Sequence, residues 1–235
     1  MLSRENFGEA DQYIQFFTFQ WGMISVLAKS ARKSKRRYVG GLDLFCHDEL
    51  FLRGDPKDRP YLVELSVLNS FPHLRTDLDK MLTAGKIVQW VRKLADVAVA
   101  NPQVYSVLGQ TLSLIEKETL PDRYLLLELV FKLKLLSAIG LKPRMEGCVQ
   151  CGDPTFSEML FDISAGGILC RKCLSGDSVT GGLRIAHDER TFLLGADRFR
   201  LTAWDSLVFP LDKTAHLSRL LTQFASFHTQ AKLPV

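Results

Sequence analysis

Residues 13–19 read Tyr-Ile-Gln-Phe-Phe-Thr-Phe and residues 23–28 read Met-Ile-Ser-Val-Leu-Ala, with Gln20, Trp21 and Gly22 between them. Aromatic and β-branched runs of this length, broken by a glycine, predict two antiparallel strands joined by a tight hairpin. Gly22 would supply the unusual backbone angle of the turn. Immediately after the second run, Lys29, Arg32, Lys33, Lys35, Arg36 and Arg37 place six cations in nine positions with no acid among them. The net charge of the 235 residues is only +4, so the basicity is local rather than spread over the chain.

Outward from this hairpin, Tyr38 to Cys46, Glu49 to Arg53 and Tyr61 to Val67 read as further strands, with a turn at Gly54, Asp55 and Pro56. About five short strands in some seventy residues is the count of a small closed barrel, either an OB-fold or an SH3-like barrel, which the strand count alone does not distinguish. From Thr76 the period becomes helical. Leu78, Met81, Leu82, Val88, Val91, Leu94 and Ala95 share a face. Asn101 and Pro102 form a cap and first-turn pair for a second helix. A third runs from Pro121 and Asp122 to Gly140 and is apolar nearly all round, as the centre of a bundle would be. Helical pattern returns from His187 to Ala196 and from Asp212 to Phe227.

Cys148 and Cys151, and Cys170 and Cys173, form two Cys-x-x-Cys pairs separated by eighteen residues. That spacing fits a four-cysteine zinc site, in which four thiolates close a tetrahedron and leave no position for substrate, so one structural Zn2+ is expected. Gly152 suits the knuckle, and Gly166 and Gly167 suit a hairpin between strands near Met159 to Asp162 and Ile168 to Cys170. An odd total of five cysteines without a secretory leader argues against a disulfide framework. Cys46 reads as a core residue.

The basic run, on a loop between strands, suits contact with a phosphate backbone without base reading. Six phosphate contacts to a single strand would give a log-log salt slope of roughly −4. Among neighbouring aromatics, Phe17, Phe19, Trp21, Tyr38 and Phe45 read mainly as barrel core, with Trp21 and Tyr38 the best candidates for stacking on bases. No Walker-type glycine loop, His-Glu-x-x-His or Gly-x-Ser-x-Gly motif is present, and the five histidines stand singly, so no enzyme is expected. No run of eighteen uncharged apolar residues and no leader pattern occurs, which predicts a cytoplasmic protein without a membrane span.

The order of parts resembles the RecO family of bacterial recombination mediators over essentially the whole chain. The matching residues are Gly8-Glu9-Ala10-Asp11, then Phe17-Thr18 with Gly22, then Ala28 to Arg32 leading into the basic run. Further on come Leu135-Leu136 with Gly140 and Pro143, the first cysteine pair with Gly152, and Gly166-Gly167 ahead of the second pair. Two departures stand out: Ser30 occupies a position where the family usually has glycine, and the chain begins closer to the Gly8–Asp11 motif than relatives do.

The resemblance implies an α+β chain: an N-terminal five-stranded OB-fold β-barrel over 1–72 that binds DNA, a helical bundle over 73–147, a four-cysteine zinc-ribbon insertion over 148–178, and C-terminal helices over 179–235. It implies a DNA-repair protein that binds single- and double-stranded DNA, anneals complementary strands without nucleotide hydrolysis, and helps RecA load onto DNA. RecR and the acidic C-terminal tail of single-stranded-DNA-binding protein are the implied partners. The implied DNA contacts are Lys29, Arg32, Lys33, Lys35, Arg36, Arg37 and Tyr38. A groove bordered by Lys132, Lys134 or Arg144 is the expected seat of the tail. The rival readings are a zinc-ribbon regulator that reads sequence and a metal-dependent nuclease or transferase.

Overall fold

A computed structural model describes residues 1–34, 37–38, 40–96, 99–155, 158–174 and 182–234. The chain forms two compact units, Met1–Thr119 and Leu120–Val235.

In the first unit, β1 (Ser3–Phe7), β2 (Asp11–Thr18), β3 (Gly22–Ala28), β4 (His47–Arg53) and β5 (Tyr61–Asn69) make one sheet in the order β1-β2-β3-β5-β4. The expected β2–β3 hairpin is present, with Thr18 opposite Gly22 and Gly22 at φ +66°. A side chain there would strike the Val99 carbonyl, with an added Cβ only 2.0 Å from its oxygen. β1–β2 and β4–β5 are also antiparallel, and β3 meets β5 in parallel, Leu27 against Tyr61. Alternation along β2 and β3 sends Ile14, Phe16, Ile24 and Val26 inward, where they pack with Tyr38, Leu42, Leu62 and Leu65.

Two strand expectations are corrected. Of the expected strand Tyr38 to Cys46, Tyr38 and residues 40–45 are turns and bends, Cys46 is irregular, and Val39 lies outside the described residues. Gly40 and Phe45 have positive φ, and Gly41 lies so close to Leu65 that a Cβ would clash, so this stretch packs from an irregular path. The fifth strand is instead Ser3–Phe7, a polar edge strand whose residues pair with Asp11–Gln15 while staying mostly exposed. Its composition hides it, because an edge strand with little buried surface carries no apolar alternation. The barrel is also not closed: β1 flanks only the first part of β2, and no β1–β4 ladder forms among the described residues. The Phe45 amide donating to the Met1 carbonyl at 3.2 Å is a contact across that gap.

Against this sheet the unit adds α1 (His73–Thr76), α2 (Leu78–Leu94) and α3 (Pro102–Lys117). The Asn101 side chain accepts from the Val104 amide, as its sequence position predicts. Glu116 of α3 receives the amides of His73 and Leu74, capping α1 and tying the short helix to the long one. A cavity of about 740 Å³ opens where the sheet is unclosed, lined by Phe16, Phe17, Phe19, Trp21, Asp48 and Tyr105 among others.

The second unit is built around α4 (Asp122–Ala138), whose Leu127, Leu129, Val130, Phe131, Leu135 and Leu136 are all fully buried. It carries β6 (Met159–Asp162), β7 (Gly167–Cys170), the single turn α5 (Arg171–Leu174), β8 (Leu183–Arg184), α6 (His187–Arg198) and α7 (Leu211–Thr229). The central helix packs on α7 and α6. Gly140, at φ +78°, ends the helix as its sequence position predicts. No described helix is long and apolar enough to cross a membrane.

Candidate nucleic-acid interface and metal centre

The basic segment leaves β3 at Ala28 and is held by the turn between β1 and β2. The Asp11 carboxylate accepts the Ser30 amide at 2.6 Å, and the Ala10 and Glu9 carbonyls receive the Arg32 amide and guanidinium. Ser30 then sits at φ +55°, and its carbonyl accepts from the amides of Lys33 and Ser34. That left-handed position explains why glycine would suit residue 30. Lys29, Arg32, Lys33 and Arg37 are exposed. Arg37 returns to the start of the loop by donating to the Lys29 carbonyl at 3.0 Å. Lys35 and Arg36 lie outside the described residues.

Tyr38 departs from the surface role expected of it. Only 5% of it is exposed, its hydroxyl donates to the Leu62 carbonyl at 3.0 Å, and burial pushes its pKa up. It anchors the end of the loop in the core, leaving only an approach of the Arg37 guanidinium, 5.3 Å from the ring centre. Phe17 and Phe45 are buried as core, while Phe19 and Trp21 are exposed. Trp21, however, sits at the β2–β3 turn, the far end of β3 from the basic loop. At about 3.3 Å per residue, the strand holds the two roughly 20 Å apart.

Asp48, at the start of β4, lines the cavity. Both its carboxylate oxygens are shielded without a hydrogen-bond partner among the described residues. Burial pushes its pKa up to about 6, against the opposing pull of the Met1 amine. The Tyr105 hydroxyl and His47 Nε2 meet at 2.9 Å beside it.

In the second unit the four cysteines converge as their spacing predicts, with the sulfurs of Cys148, Cys151, Cys170 and Cys173 all within 4.8 Å of one another. The Cys151 and Cys170 sulfurs are 3.7 Å apart. Four thiolates about 2.3 Å from a tetrahedral zinc lie about 3.8 Å from one another, so this donor set fits one metal ion. The knuckle is fixed by the hairpin beneath it. Arg144 and Val149 exchange backbone hydrogen bonds with Gly166 and Ile168, and the Cys170 amide donates to the Cys148 sulfur at 3.4 Å. This approach requires Gly167, where a Cβ would lie 2.4 Å from the Arg144 carbonyl oxygen and 2.5 Å from a Val149 methyl.

The thiols are electrostatically inequivalent. Burial opposes the Cys148 thiolate, but the amides of Cys151, Cys170 and Gln150 outweigh it and bring its pKa down to about 6. Burial and the neighbouring thiols push Cys173 up to about 12. One thiolate therefore forms readily and the last is resisted by crowding, which a divalent cation at their centre would relieve.

The groove expected from Lys132, Lys134 and Arg144 is not formed as a cationic surface. Lys132 is 1% exposed and donates to the hydroxyls of Ser218 and Thr222 on α7, with Glu128 as its ion-pair partner. Glu128 stands one turn before it on the same helix, but the burial of Lys132 is set by the hydroxyls that the facing helix supplies. Lys134 is half-buried, donating to the Asp197 carbonyl, and its pKa is lowered by burial. Arg144 donates to the Val149 carbonyl and so belongs to the cysteine knuckle.

A sheet of OB strand order followed by helices, with a four-cysteine cluster set into the second unit, defines an α+β protein of a recognisable class. Residues 1–71 match the family model "Recombination protein O N terminal" and residues 75–235 match "Recombination protein O C terminal". The chain belongs to the RecO family. A DNA repair protein RecO of Acetivibrio thermocellus is 34% identical over 80% of this chain and 72% of its own length. One from Desulfitobacterium hafniense is 32% identical over 73% of this chain and 61% of its own. The relative from Anaeromyxobacter dehalogenans is 28% identical over 99% of this chain and 91% of its own.

Proposed function

We propose that this chain is a DNA-repair recombination mediator of the cytoplasm that binds single- and double-stranded DNA and anneals complementary strands. In this reading it helps RecA load onto DNA coated by single-stranded-DNA-binding protein, with RecR and that protein's acidic tail as partners. The observation that carries it is the exposed cationic loop held open by Asp11 and the Glu9 and Ala10 carbonyls. A surface that holds two polyanions close screens their repulsion and concentrates them for pairing. No chemical step, and hence no catalytic residue, is needed.

The contacts in this reading are Lys29, Arg32, Lys33, Lys35, Arg36 and Arg37, with Tyr38 as the loop's anchor instead of a contact surface. The metal is zinc, bound by Cys148, Cys151, Cys170 and Cys173 in a structural role, since a full set of thiolates leaves no open position. The test is annealing of two complementary labelled oligonucleotides without ATP across a salt series. It compares the parent with a folded variant carrying alanine at Arg32, Lys33, Lys35 and Arg36. Expected are annealing by the parent that fades with salt, and a salt slope for single-strand binding shallower by about 3 in the variant. Binding restricted to one duplex sequence, without annealing, would favour a sequence-reading regulator instead.

A further inference from the structure

The sheet's outward face is divided in two. At one end it is covered: Arg92 of α2 donates to Gln15, and Tyr105 of α3 lies against Phe17 and Phe19. At the other end it is open. Strand register places Tyr13 opposite Leu27, Leu27 opposite Tyr61, and Tyr61 opposite Arg53, so these four side chains form one row across β2, β3, β5 and β4. Inward neighbours of the row, Ile14, Val26 and Leu62, are buried, which fixes the row on the outer face.

The row is aromatic and cationic at once. Tyr61 is 44% exposed and carries the Lys29 ammonium 4.5 Å from its ring centre. The Arg59 guanidinium lies 5.9 Å from the Tyr13 ring, and Phe7 meets Tyr13 edge-on at 4.9 Å. The acids on these strands are Glu5, opposite Tyr13, Asp11, opposite Phe7, Glu64, opposite Phe51, Glu49, opposite Ser66, and Asp48 on the cavity side. The exposed rings of Tyr61 and Phe7 and the partly buried ring of Tyr13, with cations over Tyr61 and Tyr13, suit a partner that has flat π-faces joined by anionic links, which is single-stranded nucleic acid.

We propose that Tyr61 and Tyr13, with Phe7 at the edge, form a base-stacking platform for a single strand whose phosphates are taken by Lys29, Arg53 and Arg59. The platform rests on the nucleic-acid reading above and deepens it. The two tyrosines stand two inter-strand spacings apart, about 10 Å. A base held by its face keeps its pairing edge free, so a strand laid along this row stays competent to meet its complement. The basic loop alone would hold phosphates without ordering the bases between them.

The experiment compares binding of the full chain to an oligothymidylate and to a strand of equal length with abasic sites, in parent, Tyr61→Leu and Tyr61→Phe. The expected result is that the parent binds the base-bearing strand about tenfold more tightly. Tyr61→Leu should lose most of that preference with its salt slope unchanged, because the slope counts phosphates, and Tyr61→Phe should keep it. Should Tyr61→Leu melt below the parent, Phe7→Leu on the exposed edge strand provides the same comparison. Equal binding of the two strands by the parent, or an undiminished preference in both leucine variants, overturns the platform while leaving the cationic loop's role standing. Failure of the parent to bind either strand at low salt overturns the nucleic-acid reading itself.

Discussion

The basic loop and the cysteine knuckle are both short irregular segments, yet they are held by opposite means. The loop turns on backbone geometry: one carboxylate, Asp11, a left-handed Ser30 and carbonyl acceptors at Glu9, Ala10 and Lys29. Its described cations stay exposed, and of these only the Arg32 and Arg37 guanidiniums add to that frame, by donating to backbone carbonyls, so the conformation does not consume the charges themselves. In the knuckle the functional groups are the structure, because four sulfurs converge within 4.8 Å. A binding surface for a polyanion has to leave its cations unpaired, whereas a metal centre gains its stability by consuming its ligands.

The largest expected effect tests the second half of that contrast. Chelation of the metal, or Cys148→Ser, should remove on the order of 10 kcal/mol of local folding free energy from the knuckle and its hairpin. Hydrogen exchange read by mass spectrometry should then show loss of protection over residues 144–174 and little change over β1 to β5. Uniform loss across both units would break the comparison.

Gly167→Ala probes the same knuckle without touching a ligand. The added methyl must displace the Arg144 carbonyl or Val149, and the expected cost is about 1–3 kcal/mol, read from chemical denaturation of the metal-loaded protein. An unchanged midpoint would show that the hairpin and knuckle are not tightly apposed.

A smaller, pH-dependent effect belongs to the first unit. The folded pKa of Asp48, about 6, exceeds the ordinary value of 3.8, so between those values the folded state binds more protons than the unfolded one. Stability from this group is therefore fully present below pH 3.8 and is lost as pH rises through about 6. Asp48→Asn should raise the melting temperature at pH 7–8, with the difference shrinking toward pH 4. A difference independent of pH would show that the carboxyl is solvated.

The smallest effect concerns the loop. Ser30→Gly relieves a left-handed non-glycine residue at the cost of added freedom in the unfolded chain, for a net gain of about 0.5–1 kcal/mol. The thermal melt checks the gain, and DNA affinity is expected to stay within about twofold because no charge is altered. A large drop in affinity would mean that the loop's geometry, as well as its charge, engages the strand.

Local chemistry was readable wherever a single window of sequence contained the whole cause. The cysteine spacing, the Asn101–Pro102 start of α3, the Gly140 stop, the hairpin at Gly22 and the strands around Gly166 and Gly167 each depend on neighbours within a few residues, apart from the pairing of the two cysteine motifs. Burial and pairing were decided elsewhere. Ser3–Phe7 becomes a strand because Asp11–Gln15 offers it a ladder, and Tyr38 is core because Leu62 and the inward faces of β2 and β3 close over it. Lys132 can be buried in the second unit because α7 brings hydroxyls to the ammonium that Glu128, one turn away on its own helix, neutralises. The row of Tyr13, Leu27, Tyr61 and Arg53 draws on two strand pairs, β2 with β3 and β4 with β5, that meet only through the parallel contact of Leu27 with Tyr61. Sequence determined the ligands, caps, turns and local charge, because those act over a few bonds. Tertiary structure alone decided which faces are covered, because exposure is a property of what packs against a residue and not of the residue itself.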